Sequence, residues 1–202
     1  MSSPDSARSA VFLDRDGVLN ELTMDPRSGR SESPLCPEDV RLLPGIAKGV
    51  RRLREAGYLL IGVTNQPAAA KGTVSEDEIL AVHAQVVSLL AKAGIVLDAW
   101  RLCLHHPEGT IGGLGRACDC RKPAPGMLFD AAQALAVDLR TSWMIGDTDA
   151  DIEAGRAAGC RTILVEHLAS AHKRAGTSTP DQTASDLASA ADVIVSAVPR
   201  SA

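Results

Sequence analysis

The chain has 202 residues, enough for one well-filled domain and too few for two comfortable ones. Its 45% hydrophobic and 23% charged content is ordinary for a globular protein, while 2% aromatics leave the core to Ala, Val, Leu and Ile. A net charge of −4 and the scarcity of aromatic rings speak against nucleic-acid binding, and the charge also against anionic membranes. Met1 to Ser9 is polar without an apolar signal core, and no run approaches the ~18 apolar residues of a membrane span, so a cytoplasmic protein is expected. A monomer acting on a small molecule is the expected form.

In chain order, short β-rich runs predict strands at Val11–Asp14, Tyr58–Thr64, Ala99–Leu104, Trp143–Gly146, Thr162–Val165 and Asp192–Val195. Met24 to Glu38, rich in Pro, Ser, Gly and charge, reads as a surface loop beside the first strand end. Pro44 opens a helix with Ile46, Val50 and Leu53 on one face and Gly57 past its end. Ser75 and Glu78 form a capping box ahead of Ile79, Val82, Val86 and Leu90, and Gly94 closes that helix. Further helices are predicted from Gly126 to Ala136 and from Ala150 to Gly159, and Ala171 to Ala184 reads as a mobile polar connection. Alternating strand and helix implies an α/β fold, a doubly wound, mostly parallel, Rossmann-like sheet. Ligands of such sheets sit beyond the carboxyl ends of the strands, where Asp14, Thr64 and Asp147 should converge.

Those strand ends carry the chemistry. Asp14-Arg15-Asp16-Gly17 delivers two carboxylates into a glycine turn, a costly pairing unless a metal or a reaction uses it. Thr64-Asn65-Gln66 ends the next strand in a hydroxyl and two amides suited to phosphate oxygens, although a plain turn would also carry them. Arg121-Lys122-Pro123 sets adjacent cations before a helix, which suits an anion; solvated basic pairs are the commoner case. Asp147, Asp149 and Asp151 follow a strand into a helix start. Capping alone would account for the last two, whereas an oxygen cluster at Asp147 suits Mg²⁺.

Five cysteines with three clustered near histidines favour a metal over a disulfide framework. Cys103-Leu104-His105 and Cys118-Asp119-Cys120 offer three thiols and an imidazole, a closed structural Zn²⁺ set, in spacings tighter than usual. His106 is the alternative imidazole, although alternation along an extended segment points it the other way. A metal knot ending at Cys120 would fix the loop carrying Arg121 and Lys122.

The order DxD, Thr, Lys, GDxxxD from Val11 to Val165 resembles the haloacid dehalogenase superfamily of phosphotransferases. That resemblance implies Asp14 as nucleophile, Asp16 as general acid and base, and Thr64 and Lys122 as holders of the phosphoryl oxygens. It also implies Mg²⁺ bound by the Asp14 side chain, the Asp16 backbone carbonyl and Asp147, with Asp151 orienting the shell. The Cys103–Gly109 and Cys118–Met127 runs resemble the D-glycero-D-manno-heptose 1,7-bisphosphate phosphatases closely and the histidinol-phosphate phosphatases more distantly. The closer resemblance implies removal of the C7 phosphate of a heptose bisphosphate, with Arg121, Asn65 and Gln66 touching substrate; histidinol phosphate is the alternative substrate. The chain departs from the family in its longer Met24–Leu35 loop, in Pro67-Ala68-Ala69-Ala70-Lys71, and in Thr148 where Lys is frequent. The spacings from Asp14 to Thr64 and from Thr64 to Lys122 leave no room for a cap domain. One phosphatase domain over 1–202 is expected, with a zinc-loop insertion at about 103–120, its site closed by Glu21–Leu35 and the zinc loop.

Overall fold

The computed structural model describes residues 8–176 and 178–197; all but Arg8 and Ser9 of the polar N-terminal stretch lie outside them. Strand β1 (Ala10–Leu13) is buried along its whole length and pairs in parallel with β4 (Leu59–Asn65) on one side and β6 (Trp143–Gly146) on the other. With β5 (Ala99–Cys103), β7 (Arg161–Val165) and β8 (Gln182–Ala184) they make a six-stranded parallel sheet in the order β5-β4-β1-β6-β7-β8. The sequence runs outward from β1 to β5 and then restarts at β6, so the switch point lies between β1 and β6.

Alternation along β1 divides the core. Val11 and Leu13 face a layer that includes Val50, Leu53, Val82, Val86 and Ile194, from α1 (Ile46–Glu55), α2 (Glu76–Lys92) and α5 (Leu187–Ala197). Ala10 and Phe12 face Met127, Leu128, Ala131 and Ala154, from α3 (Gly126–Leu135) and α4 (Asp149–Ala157). Helices thus cover both faces, as the doubly wound reading requires. The α2 capping box is present, Glu78 Oε2 accepting from Ser75 N at 2.7 Å and Ser75 Oγ from Glu78 N at 3.2 Å.

Two stretches differ from expectation. Met24–Glu38 is not only loop: β2 (Thr23–Asp25) and β3 (Arg30–Glu32) form an antiparallel hairpin, turned at Gly29. Asp192–Val195 is not a strand but lies within α5. The β-branched run Val193-Ile194-Val195 suggested extension, yet Leu187, Ala190, Ala191 and Ile194 fall on one buried helical face packed on α1. Asp186 caps this helix, accepting from Ser189 N at 2.7 Å. The sixth strand is instead Gln182–Ala184, whose register against Ile163–Val165 no apolar pattern announces. Its segment, 171–184, also holds the end of a 3-10 turn, Leu168–Lys173, and hydrogen bonds from Ala175 N and Ser178 Oγ to Asp149.

Candidate active site

The register of β1, β4 and β6 brings Asp14, Thr64 and Asp147 to one edge of the sheet, around a cavity of about 320 Å³. Asp14 follows the last residue of β1, its amide donating to Ile145 O at 2.9 Å. Gly17 turns the chain away with φ of +87°, and a Cβ there would fall 2.1 Å from Asp147 Oδ2. Gly146 plays the same part beneath Asp151, where a Cβ would come within 2.1 Å of the Asp151 Cβ.

Lys122 stands at the centre. Its Nζ lies 2.7 Å from Asp14 Oδ1, 2.6 Å from Asp151 Oδ1 and 2.8 Å from Val63 O, and it is only 3% exposed. Burial alone would lower its pKa, but the two carboxylates more than offset that and hold the ammonium charged. Asp151 is oriented in turn, Oδ2 accepting from Thr148 N at 3.0 Å and Thr148 Oγ1 at 2.6 Å.

The carboxylates outnumber that lysine. Burial pushes Asp14 up to about 7, against the pull of Lys122, with Asp151 and Asp16 adding to the rise. Asp147 is raised well above the carboxylate range, first by burial and then by Asp14 and Asp151. Both Asp147 side-chain oxygens are buried without a hydrogen-bond partner, a state that costs energy unless something positive meets them. Oxygens of Asp14, Asp147 and Asp151 lie within 4.8 Å of one another. These residues fit a hard divalent cation.

Asp16 is held differently. Arg15 grips it with Nε at 3.1 Å and Nη2 at 3.0 Å, while Asn20 Nδ2 at 2.8 Å, Gln66 Nε2 at 2.6 Å and the Ser33 hydroxyl also donate to it. Burial alone would raise its pKa, but Arg15 and these donors hold it below the usual range. Gln66 also donates to Thr64 Oγ1 at 2.9 Å. Asn65, between them, bonds instead to the backbone of Lys122, 57 residues along the chain. Its Nδ2 donates to Lys122 O at 2.9 Å and its Oδ1 accepts from Lys122 N at 3.1 Å. Arg121 lines the cavity and donates to His105 O at 3.3 Å.

The cysteine cluster lies beside this loop. Cys120 Sγ is 3.1 Å from Cys103 and 3.2 Å from Cys118, and His105 Nδ1 is 3.3 Å from Cys120. A tetrahedral Zn²⁺ with bonds of roughly 2.3 Å has edges near ~3.8 Å, and all four ligand atoms here lie within 4.8 Å of one another. His106 is outside the group, its Nδ1 accepting from Glu108 N at 3.1 Å, so His105 is the imidazole of the set.

A HAD-hydrolase-like family profile matches residues 119–190. The D-glycero-beta-D-manno-heptose-1,7-bisphosphate 7-phosphatase of Rhodopseudomonas palustris is 42% identical over 79% of this chain and 84% of its own length. The D-glycero-D-manno-heptose-1,7-bisphosphate 7-phosphatase of Thermosynechococcus vestitus is 41% identical over 93% and 95%. The D,D-heptose 1,7-bisphosphate phosphatase of B. bronchiseptica, solved with magnesium and phosphate, superposes with a TM-score of 0.75 at 31% identity, covering 94% of this chain and 99% of that one. The chain belongs to the heptose-1,7-bisphosphate 7-phosphatase family. It is a haloacid dehalogenase-like phosphatase, and among the described residues no helix is long and apolar enough to cross a membrane.

For this family member several residues that shape the site, in the cavity or behind Asp16, had no role assigned from the sequence. Arg15 and Asn20 were legible as neighbours of the acid pair, one between the two carboxylates and one four residues beyond Asp16. Glu32 and Lys173 line the same cavity from β3 and the 3-10 turn, and no local pattern marks either.

Proposed function

We propose that the chain is a Mg²⁺-dependent phosphomonoester hydrolase that removes the C7 phosphate of D-glycero-D-manno-heptose 1,7-bisphosphate through an aspartyl phosphate. The observation that carries this reading is the Asp14–Lys122–Asp151 array at the sheet's switch point, flanked by the unpartnered Asp147 carboxylate. Family membership supports the substrate.

In this reading an Asp14 oxygen attacks phosphorus while Lys122 and Thr64 hold the equatorial oxygens. The phosphorus bond to the C7 oxygen breaks, and Asp16 donates a proton to that oxygen. Asp16 then takes a proton from the water that attacks phosphorus, and phosphate departs with Asp14 restored. The ion pair with Arg15 favours Asp16 as a carboxylate at rest, ready for the second step. The incoming phosphate's negative charge raises its proton affinity for the first. The Asp14 and Asp147 side chains and the Asp16 carbonyl would hold Mg²⁺, which supplies positive charge against the repulsion between nucleophile and phosphate. Asn65 acts through Lys122, while Arg121 and Gln66 border the leaving group and the proton-transfer acid.

The Cys103, His105, Cys118 and Cys120 set suits a structural Zn²⁺, and its clustered thiols suit a reducing compartment such as the cytoplasm. One phosphatase domain over the chain, working as a monomer, completes this reading. A phosphate-release panel tests the substrate, comparing both anomers of heptose 1,7-bisphosphate with histidinol phosphate. The bisphosphate should turn over with the higher kcat/KM, and equal or better turnover of histidinol phosphate overturns the substrate assignment.

A further inference from the structure

The hairpin β2–β3 reaches the cavity at Glu32, which bridges across it to the 168–173 turn. Glu32, the last residue of β3, places Oε2 2.8 Å from Lys173 Nζ and Oε1 3.5 Å from His172 Nε2. Glu32 and Lys173 both line the cavity that holds Asp14, Asp16 and Asp147. A carboxylate facing a phosphate site repels the ligand unless a cation answers it, and Lys173 does so here.

The two ends of this bridge differ in how firmly they are anchored. The Leu168–Lys173 turn is fastened to the end of β6. Arg174 Nη1 donates to Asp147 O at 3.2 Å and to His167 O at 3.2 Å, and Ser170, fully buried, donates to His167 O at 3.0 Å. The hairpin is a two-stranded ribbon of three residues a side, marginal by itself in water. Behind it lies a groove of about 500 Å³, also bordered by Met24, Arg27, Glu32 and Lys71, that opens beside the active cavity. The hairpin therefore forms the wall between the reacting centre and this groove, on the side where a bulky leaving group has room to lie.

We propose that Glu32 and Lys173 are positioning residues, a clamp that fixes the β2–β3 hairpin to the rigid 168–173 turn and so shapes the leaving-group side of the active site. The contribution to substrate choice rests on the phosphatase reading above; the clamp itself does not. Both partners are partly exposed, so the bridge is worth a few-fold in hairpin closure rather than orders of magnitude.

Limited trypsin digestion of the full-length folded protein reads the clamp directly, because Arg27 and Arg30 lie in the hairpin. Cleavage after these two residues, followed by mass spectrometry, should speed up about three- to fivefold in Glu32→Gln and in Lys173→Met. The charge-swapped double variant, Glu32→Lys with Lys173→Glu, should return most of the way to the wild-type rate. Singles that cleave at the wild-type rate, or a swap that cleaves as fast as the singles, overturn the clamp. In parallel, the ratio of kcat/KM for heptose 1,7-bisphosphate to that for p-nitrophenyl phosphate should fall in each single variant, mainly through KM, and recover in the swap. An unchanged ratio alongside faster cleavage removes the role in substrate choice and leaves the clamp standing. A wild-type enzyme that hydrolyses p-nitrophenyl phosphate but ignores the bisphosphate instead overturns the heptose-bisphosphate substrate reading.

Discussion

Asp14 and Asp16 sit two residues apart in sequence, yet they live in different electrostatic worlds. Asp14 faces Lys122 and the Asp147 and Asp151 carboxylates, while Asp16 is wrapped by Arg15, Asn20 and Gln66. Replacing Asp14 with Asn keeps the volume and removes the proposed nucleophile, so turnover should fall by about a thousandfold or more while the circular dichroism spectrum is retained. Retained turnover would remove the covalent route. Asn65 should matter by another path. Asn65→Ala deletes both hydrogen bonds that fix the Lys122 backbone, and misplacing that ammonium should lower kcat about 10- to 100-fold with a smaller change in KM. Asn65→Asp keeps the acceptor for Lys122 N and loses the donor, so it should fall between. A pure KM effect in steady-state kinetics would instead return Asn65 to direct substrate contact. The acids and Lys122 were legible because each follows a strand or precedes a helix. The partner of Asn65 was not, since a contact across 57 residues leaves no periodic trace.

At the level of elements, the central strands declared themselves through short buried runs, and helix α2 through its Ser75–Glu78 capping box. The outermost pieces did not. Val193-Ile194-Val195 carries strand propensity, and only the longer spacing from Leu187 to Ile194 reveals a helix, whose existence depends on the α1 face that covers it. Ile194→Ala should therefore cost about 2–4 kcal/mol in urea unfolding, whereas an exposed strand residue would cost almost nothing. Helix α2 holds a titrating element. His83 stands edge-on to Trp100 with ring centroids 4.8 Å apart, and burial, aided by the Arg15 charge, pulls its pKa down to about 4. The unfolded chain protonates near the ordinary value of 6.5, so it binds more protons than the folded chain between about 4 and 6.5. Stability from this group is complete above pH 6.5 and is lost as pH falls through that window. His83→Phe should remove about 1 kcal/mol of the stability difference between about pH 5 and pH 7.5, after allowance for partial exposure. Identical pH dependence in the two proteins would show that His83 contributes nothing.

Across the whole molecule, the cysteine cluster links the core to the chemistry. Cys103 ends β5 and is buried in the core layer with Met127 and Leu128, while Cys120 directly precedes Arg121 and Lys122, two of the cations that line the active cavity. The same loop receives the turn after β4, Ala70 O accepting from Thr110 N at 2.8 Å and Ile111 N at 3.1 Å. Burial, reinforced by the neighbouring sulfurs, pushes the Cys120 thiol far up without a metal, and Zn²⁺ would reverse that by binding thiolates. Purified protein should therefore carry one zinc per chain by elemental analysis. Stripping it with a chelator should lower Tm by about 4–8 °C, the shift that a loss of about 2 kcal/mol produces in a chain of this size. Turnover should fall together with Tm even when excess Mg²⁺ is restored, because Lys122 loses the loop that presents it to Asp14. Adding Zn²⁺ back should recover both, and His105→Ala should reproduce the stripped state. Protein that is zinc-free as purified yet equally stable and active would mean that hydrogen bonds alone position the lysine.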